Sequence, residues 1–351
     1  MAQAHLVGSM PFKDAETVFR TVAENAGDSV KRIPDGETGP RDGWIFSMIP
    51  RMAATPQLEL VSTITDFPYE AAVDTGYDGM PQFGMKEGVS PEDVEFDLGY
   101  DTDGIAAWPE FKRLRDEGVI GPDVKFQLAI PTPMAILGSY IAEDQRAFLF
   151  APYQERLKTE IDNILKTIPA EDLSIQWDVA AEFGLIEGAF GEHPLTDEFI
   201  ISTVVALSSL VPPEVEMGYH FCYGDAPAEE GAKGRHFKEP EDATLLTRMG
   251  NAIFDGATRS VEYIHMPVPI ARDDDAFFKP LEDLRLKPET ELYLGLVHEE
   301  DGLEGAQRRI ATARKHVKGP FGVATECGMQ NEPLDRTPEL LKLHHDIEVP
   351  A

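Results

Sequence analysis

The sequence Val215-Glu-Met-Gly-Tyr-His-Phe-Cys222 carries the pattern that decides the fold. Most of its residues are apolar, which is typical of a buried strand. It ends with His220 and Cys222, two metal-ligand residue types separated by one position. Because alternate residues of a strand point to the same side, we expect both side chains on one face. The segment therefore predicts a strand that presents a pair of zinc-binding side chains at its carboxyl end.

The same pattern, a short apolar strand that ends in polar residues, recurs along the chain, and amphipathic helices lie between the strands. Strands are predicted at residues 5–11, 30–37, 124–130, 173–178, 215–222, 260–265, 291–298 and 321–327. The clearest helix carries Tyr153, Leu157 and Ile161 at helical spacing. Repeated strand-then-helix order requires parallel strands with right-handed crossovers, and eight such units close into a barrel. The predicted fold class is an α/β protein with a (β/α)8 TIM barrel.

Two long segments interrupt this order. Residues 57–122 are rich in Asp, Gly and Pro, although the stretch 58–64 is interpreted as an extra strand. A second segment covers residues 224–242. Neither has enough periodic apolar sequence for a core of its own. We therefore expect residues 1–351 to form a single barrel with two loop excursions over its catalytic face.

Composition excludes several function classes. The chain has 63 acidic and 31 basic residues and a net charge of −32, which repels nucleic acid and anionic lipid. No apolar run approaches the roughly 18 residues that cross a bilayer, and the start Met1-Ala-Gln-Ala-His5 lacks the features of a signal peptide. We expect a cytoplasmic protein with small-molecule substrates and no nucleic acid or membrane partner. The oligomeric state is left open.

The chain has only two cysteines, Cys222 and Cys327. A disulfide is one interpretation, but disulfides rarely persist in the cytoplasm. A pair of inert buried thiols is a second, and a structural zinc site is a third. Structural sites usually gather their ligands in short Cys-x-x-Cys knuckles, whereas about a hundred positions separate these two cysteines. Ligands from such distant segments favour a site inside a larger fold.

The polar residues that end the predicted strands are candidates for catalysis, because active sites of such barrels lie at the carboxyl ends of the strands. Each residue taken alone is better explained as a cap or turn residue. A polar group at the end of nearly every strand favours a shared site. The candidates are Ser9, Asp35, Glu37, Asp178, His220, Cys222, Glu262, His298 and Cys327.

These segments together resemble the cobalamin-independent methionine synthase family, specifically its catalytic zinc barrel of the UROD/MetE-like superfamily. The family motifs Gly-Ser-aromatic-Pro, His-Gly-Glu, Ile-Gln-Ile-Asp-Glu, His-x-Cys, Ile-Glu and Asp-Cys-Gly are similar to residues 8–11, 35–37, 175–179, 220–222, 261–262 and 326–328. His298 corresponds to the catalytic histidine of the seventh strand. The resemblance covers almost the whole chain in the same order.

The resemblance implies a zinc-dependent methyltransferase of methionine biosynthesis. His220, Cys222, Glu262 and Cys327 would hold Zn²⁺, and Ser9, Glu37 and Asp178 would bind the substrate. His298 would be the catalytic acid, with His265 as a rival for that role. The acceptor would be homocysteine or a related amino-acid thiol. Glu262, the hardest ligand in the set, is expected to yield its place to the incoming sulfur.

The alkyl donor and some alternatives stay open. Asp35 and Val179 differ from the His and Glu of the family motifs, so the donor is a folate, a corrinoid, a sulfonium or an aryl methyl ether. Opening of an epoxide by coenzyme M is an alternative, but its sulfonate favours a cation where Glu37 and Asp178 stand, and the sequence shows no cation near them. A zinc-dependent lyase or hydrolase is a second alternative, and a noncatalytic protein with a structural metal is a third.

Overall fold

The computed structural model describes residues 4–65, 76–224, 226–227 and 234–347. Strands within these ranges are β1 (Arg32–Pro34), β2 (Leu58–Ile64), β3 (Met80–Met85), β4 (Lys125–Pro131), β5 (Leu173–Val179), β6 (Glu216–Phe221), β7 (Ala226–Pro227), β8 (Gly234–Arg235), β9 (Tyr263–Pro267), β10 (Glu291–Val297) and β11 (Gly322–Thr325). Helices are α1 (Ala15–Ala26), α2 (Ile49–Ala54), α3 (Trp108–Asp116), α4 (Pro133–Tyr140), α5 (Arg146–Ile164), α6 (Ala181–Ile186), α7 (Asp197–Ala206), α8 (Thr244–Gly256), α9 (Asp275–Phe278), α10 (Gly302–His316) and α11 (Thr337–Asp346).

Seven strands form one parallel sheet in the order β1-β4-β5-β6-β9-β10-β11. Their residues are almost all buried, because helices cover the sheet as parallel architecture requires. The strand order follows the chain order, so each new strand is added beside the previous one. This arrangement confirms an α/β fold that is similar to a TIM barrel.

The strand predicted at residues 5–11 is not formed as expected. Within the described residues it is reduced to Ala4, which forms single parallel bridges to Val30 and Val323 near the two outer strands of the sheet. The carbonyl oxygens of Leu6 and Val7 accept hydrogen bonds from the side chain of Gln127, at 2.9 and 3.0 Å, instead of joining a strand ladder. The described residues therefore form seven of the eight expected strands.

Helix α1 shows how local sequence sets the outer layer. The Asp14 side chain accepts a hydrogen bond from the Thr17 backbone N–H at 2.8 Å, which caps the first turn. Val18, Phe19 and Val22 are then buried on one face at helical spacing. None of the helices in the described part of the chain combines the length and the apolar character that a bilayer crossing needs.

The two excursions contain short strands outside the parallel sheet. In residues 57–122, β2 and β3 form an antiparallel hairpin, so the extra strand expected at 58–64 is confirmed. The buried carboxylate of Glu160 on α5 accepts hydrogen bonds from the backbone N–H groups of Leu98 and Tyr100, both at 2.8 Å, and holds this excursion against helix α5. The second excursion contains the short ladder β7–β8, and residues 225 and 228–233 lie outside the described residues.

Candidate metal and substrate site

Three predicted ligands converge at the carboxyl end of the sheet. His220 is the penultimate residue of strand β6, Cys222 follows that strand, and Cys327 follows β11. The Sγ atoms of Cys222 and Cys327 are 3.3 Å apart, and the Nε2 atom of His220 is 3.6 Å from the Cys327 Sγ atom. All three ligand atoms lie within 4.8 Å of one another. In the part of the chain that the structure describes, no other His, Cys, Asp or Glu side chain belongs to this group.

Backbone contacts hold both cysteines in place. The Cys222 N–H donates to the Val179 carbonyl at 2.9 Å and so extends the pairing of β6 with β5. The Gly224 N–H points at the Cys222 sulfur, 3.2 Å away. On the other side, the Thr325 hydroxyl donates to the Cys327 carbonyl at 2.6 Å.

The donor set fits a zinc ion better than a disulfide. Neither cysteine is in a disulfide, and the distance of 3.3 Å between their sulfur atoms exceeds the S–S bond length of about 2.05 Å. Two thiolates bound to one tetrahedral zinc at about 2.3 Å lie about 3.8 Å apart, so small shifts bring these sulfurs to the required spacing. Three protein ligands leave a fourth position for substrate, which is the pattern of catalytic rather than structural zinc sites.

The structure does not place Glu262 beside the other predicted zinc ligands. Strand β9 begins at Tyr263, so Glu262 precedes it instead of ending it. Its carboxylate accepts a hydrogen bond from the Met217 N–H at 2.8 Å and pairs with Arg259 at 3.0 Å. Since Met217 lies three residues before His220, Glu262 is about 10 Å from the ligands along the strand direction. Its place is at the amino end of the sheet.

His265 occupies the strand position that the sequence assigned to Glu262. It pairs in register with His220, and the Nδ1 atoms of the two rings are 2.7 Å apart. Its Nε2 atom donates to the Thr325 carbonyl at 3.0 Å. Burial lowers the pKa of His265 to about 3 and that of His220 well below its usual value, so both rings are neutral. Both nitrogens of His265 are engaged, which argues against its rival role as the catalytic acid.

The predicted substrate-binding residues lie around the same edge. Asp178 pairs in register with His220 on the neighbouring strand. Ser9 lies beside the segment that follows Cys327: a Cβ atom added to Gly328 would be 2.1 Å from the Ser9 hydroxyl, and the Ser9 carbonyl accepts from the Met329 N–H at 2.8 Å. Glu37 is buried next to Gly8, whose Cβ position is 3.3 Å from a carboxyl oxygen of Glu37.

The surroundings of Glu37 and Asp178 disfavour the charged form of both carboxyl groups. Burial, together with the neighbouring Asp178, raises the pKa of Glu37 to about 8, against the attraction of Arg41. Burial likewise raises the pKa of Asp178 to about 7, although hydrogen bonds from Gln176 and Trp44 stabilise its charged form. Such perturbed carboxyl groups in one cluster are typical of functional sites.

Arg41 is a residue that the sequence analysis missed, since no cation was expected near Glu37 and Asp178. Its guanidinium donates to Asp35 at 2.9 Å and to the Ala129 carbonyl at 3.0 Å. The turn that brings it back contains Glu37 with a left-handed φ of 52°. The Asp35 carboxylate accepts from the Glu37 N–H at 3.1 Å and stabilises this strained turn. Gly36, Gly39 and Gly43 also have left-handed φ values, and these glycines were the available signal for a tight turn.

His298 lies just beyond β10, at the same end of the sheet. Its Nε2 atom donates to the Val268 carbonyl at 2.9 Å. Burial lowers the pKa of His298, and the negative charge of Glu326 opposes that effect. Glu326, next to Cys327, also lies 3.1 Å from the Nε2 atom of His236, a residue of the second excursion that the sequence did not single out.

A cavity borders Glu37. It encloses about 350 Å³, part of which is open to solvent. Arg41, Trp44, Arg51 and Tyr100 line it together with the edge of the first excursion. The excursion over residues 57–122 therefore contributes a wall beside the substrate-binding candidates.

Solved structures of other proteins have a fold similar to that of this chain. The chain is similar to a B12-independent methionine synthase from Shewanella sp. W3-18-1 in complex with selenomethionine, with 14% sequence identity and a TM-score of 0.56 over 94% of this chain and 83% of that chain. The chain shares its fold with the B12-independent methionine synthases. The putative vitamin-B12 independent methionine synthase from Listeria monocytogenes matches with 15% identity and a TM-score of 0.50 over 98% of this chain and 97% of that chain.

A methyltransferase from Methanosarcina mazei is similar over 97% of this chain and 93% of that chain, with 12% identity and a TM-score of 0.47. No family model matches the sequence, and no curated protein matches it. The resemblance to B12-independent methionine synthases is thus confirmed through the fold. At such low identity, the roles of individual residues depend on the contacts described above.

Proposed function

We propose that this protein is a zinc-dependent transferase that moves a methyl or other alkyl group onto a thiol. The observation that carries the proposal is the convergence of His220, Cys222 and Cys327, with the two sulfur atoms 3.3 Å apart. The methionine synthase in the fold comparison was solved with selenomethionine, the selenium analogue of a methylated amino-acid thiol. Homocysteine is therefore the first acceptor to test.

The protein's own residues give the acceptor its place. His220 and the two cysteine thiolates would hold Zn²⁺. The two negative charges of the thiolates would balance the charge of the ion. Zinc bound there would lower the pKa of an incoming thiol, so that the thiol would be available as a thiolate near neutral pH. Because Glu262 does not belong to the ligand set, no protein ligand would have to leave before the acceptor binds.

Glu37 and Asp178 would bind the ammonium group of the acceptor. Their raised pKa values mean that burial makes both carboxylates costly until a cation arrives. An ammonium group lowers both pKa values and completes the cluster. The hydroxyl or backbone N–H of Ser9, beside the Cys327 segment, would meet the acceptor carboxylate.

His298 would supply the proton for the leaving group. Because its Nε2–H already donates to the Val268 carbonyl, the proton released by the acceptor thiol would be taken up at Nδ1 and passed from there to the leaving group. The nature of that leaving group depends on the donor, for which folate, corrinoid, sulfonium and aryl methyl ether compounds all remain to be compared.

The acidic pair also bears on the coenzyme M alternative. Arg41 stands near Glu37, but its guanidinium is bound to Asp35 and to the Ala129 carbonyl. A sulfonate would have to compete with Asp35 for this cation. An amino-acid thiol therefore fits the charges better.

We also propose a cytoplasmic location, since a reducing compartment keeps both thiols available.

The test begins with metal analysis and continues with cobalt substitution, because cobalt–thiolate absorption reports directly on a sulfur ligand. We expect homocysteine to perturb this absorption more strongly than coenzyme M, and we expect thiol alkylation with at least one methyl donor. Tighter binding of coenzyme M would contradict the preference for an amino-acid thiol. Turnover of a substrate without any thiol would replace the transferase with a lyase or hydrolase.

A further inference from the structure

The contacts of His265 form a directional chain between two of the ligand-bearing segments. His265 is fully buried, and its ring lies between His220 on β6 and Thr325 on β11. The Nε2 atom is 3.0 Å from the Thr325 carbonyl oxygen, and the Nδ1 atom is 2.7 Å from the Nδ1 atom of His220. Both distances are those of hydrogen bonds.

The direction of each hydrogen bond follows from its acceptor. A carbonyl oxygen only accepts, so the Nε2 atom of His265 must carry the proton in the contact with Thr325. A neutral imidazole carries one N–H, which leaves the Nδ1 atom of His265 as an acceptor. The proton shared by the two rings therefore belongs to the Nδ1 atom of His220.

This assignment fixes the other side of the His220 ring. With its proton on Nδ1, the lone pair of His220 is on Nε2, the atom that lies 3.6 Å from the Cys327 sulfur. Nε2 is thus the ligand atom that faces both sulfurs. The same chain ends at Thr325, whose hydroxyl donates to the Cys327 carbonyl at 2.6 Å. One ring therefore sets both the tautomer of His220 and the position of the segment that carries Cys327.

We propose that His265 is the positioning residue of the metal centre, which keeps the His220 Nε2 lone pair directed at the two cysteine sulfurs. This inference rests on the proposed zinc site and deepens it. His265 is not a catalytic residue, because its two nitrogens are used by His220 and Thr325. A hydrogen-bond partner behind a metal-binding histidine typically accounts for 10- to 100-fold in metal affinity.

Three variants test the role of the ring. In His265→Phe, the ring volume is kept but the acceptor and the donor are lost. In His265→Gln, the amide oxygen can accept from His220 while the amide N–H donates to Thr325. His344→Gln is the matched control, since His344 is also fully buried and bonds to the Leu340 carbonyl in α11, outside the site.

Zinc affinity is measured by competition with a chelator. We expect a 10- to 100-fold weaker affinity for His265→Phe, a change below about threefold for His265→Gln, and no change for His344→Gln. Equal affinities of folded His265→Phe and the starting protein would overturn the proposal. So would a loss in His265→Gln as large as that in His265→Phe.

Nitrogen NMR of the metal-free protein, labelled at its nine histidines, gives a readout without any reaction. The signal that disappears in His220→Gln identifies His220. We expect its proton on Nδ1, and a proton on Nε2 would refute the proposal even if His265→Phe failed to fold. Failure of the transferase proposal looks different: zinc would bind and depend on His265, while no thiol would be alkylated with any donor.

Discussion

The two ends of the parallel sheet carry many ionisable residues, but they use them in opposite ways. At the amino end, unlike charges meet. Arg32 is buried between Glu216 and Glu291, and its guanidinium also lies 4.0 Å from the centre of the Tyr263 ring. Glu262 is paired with Arg259 at this end. Each charge here has a partner of opposite sign.

At the carboxyl end, like groups meet. Glu37 lies near Asp178, His220 contacts His265, and the two cysteine sulfurs touch each other. Two neighbouring carboxyl groups disfavour each other's charge, and a bound cation relieves this repulsion. Charge pairing therefore stabilises the sheet at one end, while the other end carries the side chains of the proposed site. The predictions that follow test this division.

The largest effect is expected for Cys222→Ser. A serine oxygen is a poor replacement for a thiolate on zinc, so we expect loss of bound zinc and at least a 1000-fold loss of thiol alkylation, about 4 kcal/mol in transition-state stabilisation. Metal analysis, activity and circular dichroism are measured together. Unfolding of the variant would instead indicate a structural metal and would remove the functional distinction between the two ends.

Arg32→Met should be the most destabilising change at the amino end. It leaves Glu216 and Glu291 without their buried partner, and loss of one member of such a pair costs about 3 kcal/mol or more. Urea unfolding measures the change. Zinc affinity should stay within twofold under conditions where the variant is folded, and a weaker zinc site in the folded variant would show that the two ends are coupled.

Glu37→Gln should stabilise the protein in a pH-dependent way. The folded-state pKa of Glu37 is about 8, above its ordinary value of 4.5, so the folded state binds more protons between these pH values. Ionisation of Glu37 therefore destabilises the fold as pH rises. We expect Glu37→Gln to gain between about 2 and 4 kcal/mol at pH 8 and less than about 1 kcal/mol at pH 5. Unfolding at both pH values checks this, and a gain that does not change with pH would contradict it.

Glu262→Gln should have the smallest effect. Its ion pair with Arg259 is partly exposed, so we expect a loss of about 1 kcal/mol in unfolding free energy. Zinc content and alkylation should stay at the level of the starting protein. A protein without zinc after this change would return Glu262 to the ligand set.

Strand positions were well predicted where polar residues end an apolar run. The strand expected at 173–178 is β5, and the one expected at 291–298 is β10. His220, Cys222 and Cys327 were brought together as expected because parallel strands place their carboxyl ends at one edge. The repeated order of strands and helices was enough for this part.

The errors came from positions where the sequence pattern has two solutions. In Val261-Glu-Tyr-Ile-His265, either the glutamate or the histidine can end the strand, and only the pairing of β9 with β6 decides between them. Arg41 was missed because the strained turn at residues 36–43, rather than sequence proximity, brings it near the carboxyl groups. Side-chain amides that bind the Leu6 and Val7 carbonyls likewise replaced an expected strand.

The two sulfur atoms that touch belong to residues 105 positions apart, one after β6 and one after the last strand of the sheet. A metal held there would fasten the middle of the chain to its final segment, so removal of the metal would loosen the whole sheet. Binding only to the folded state adds about 2.7 kcal/mol when free zinc exceeds its dissociation constant a hundredfold. The melting temperature, and with it the lifetime of the protein in the cell, would then follow zinc supply.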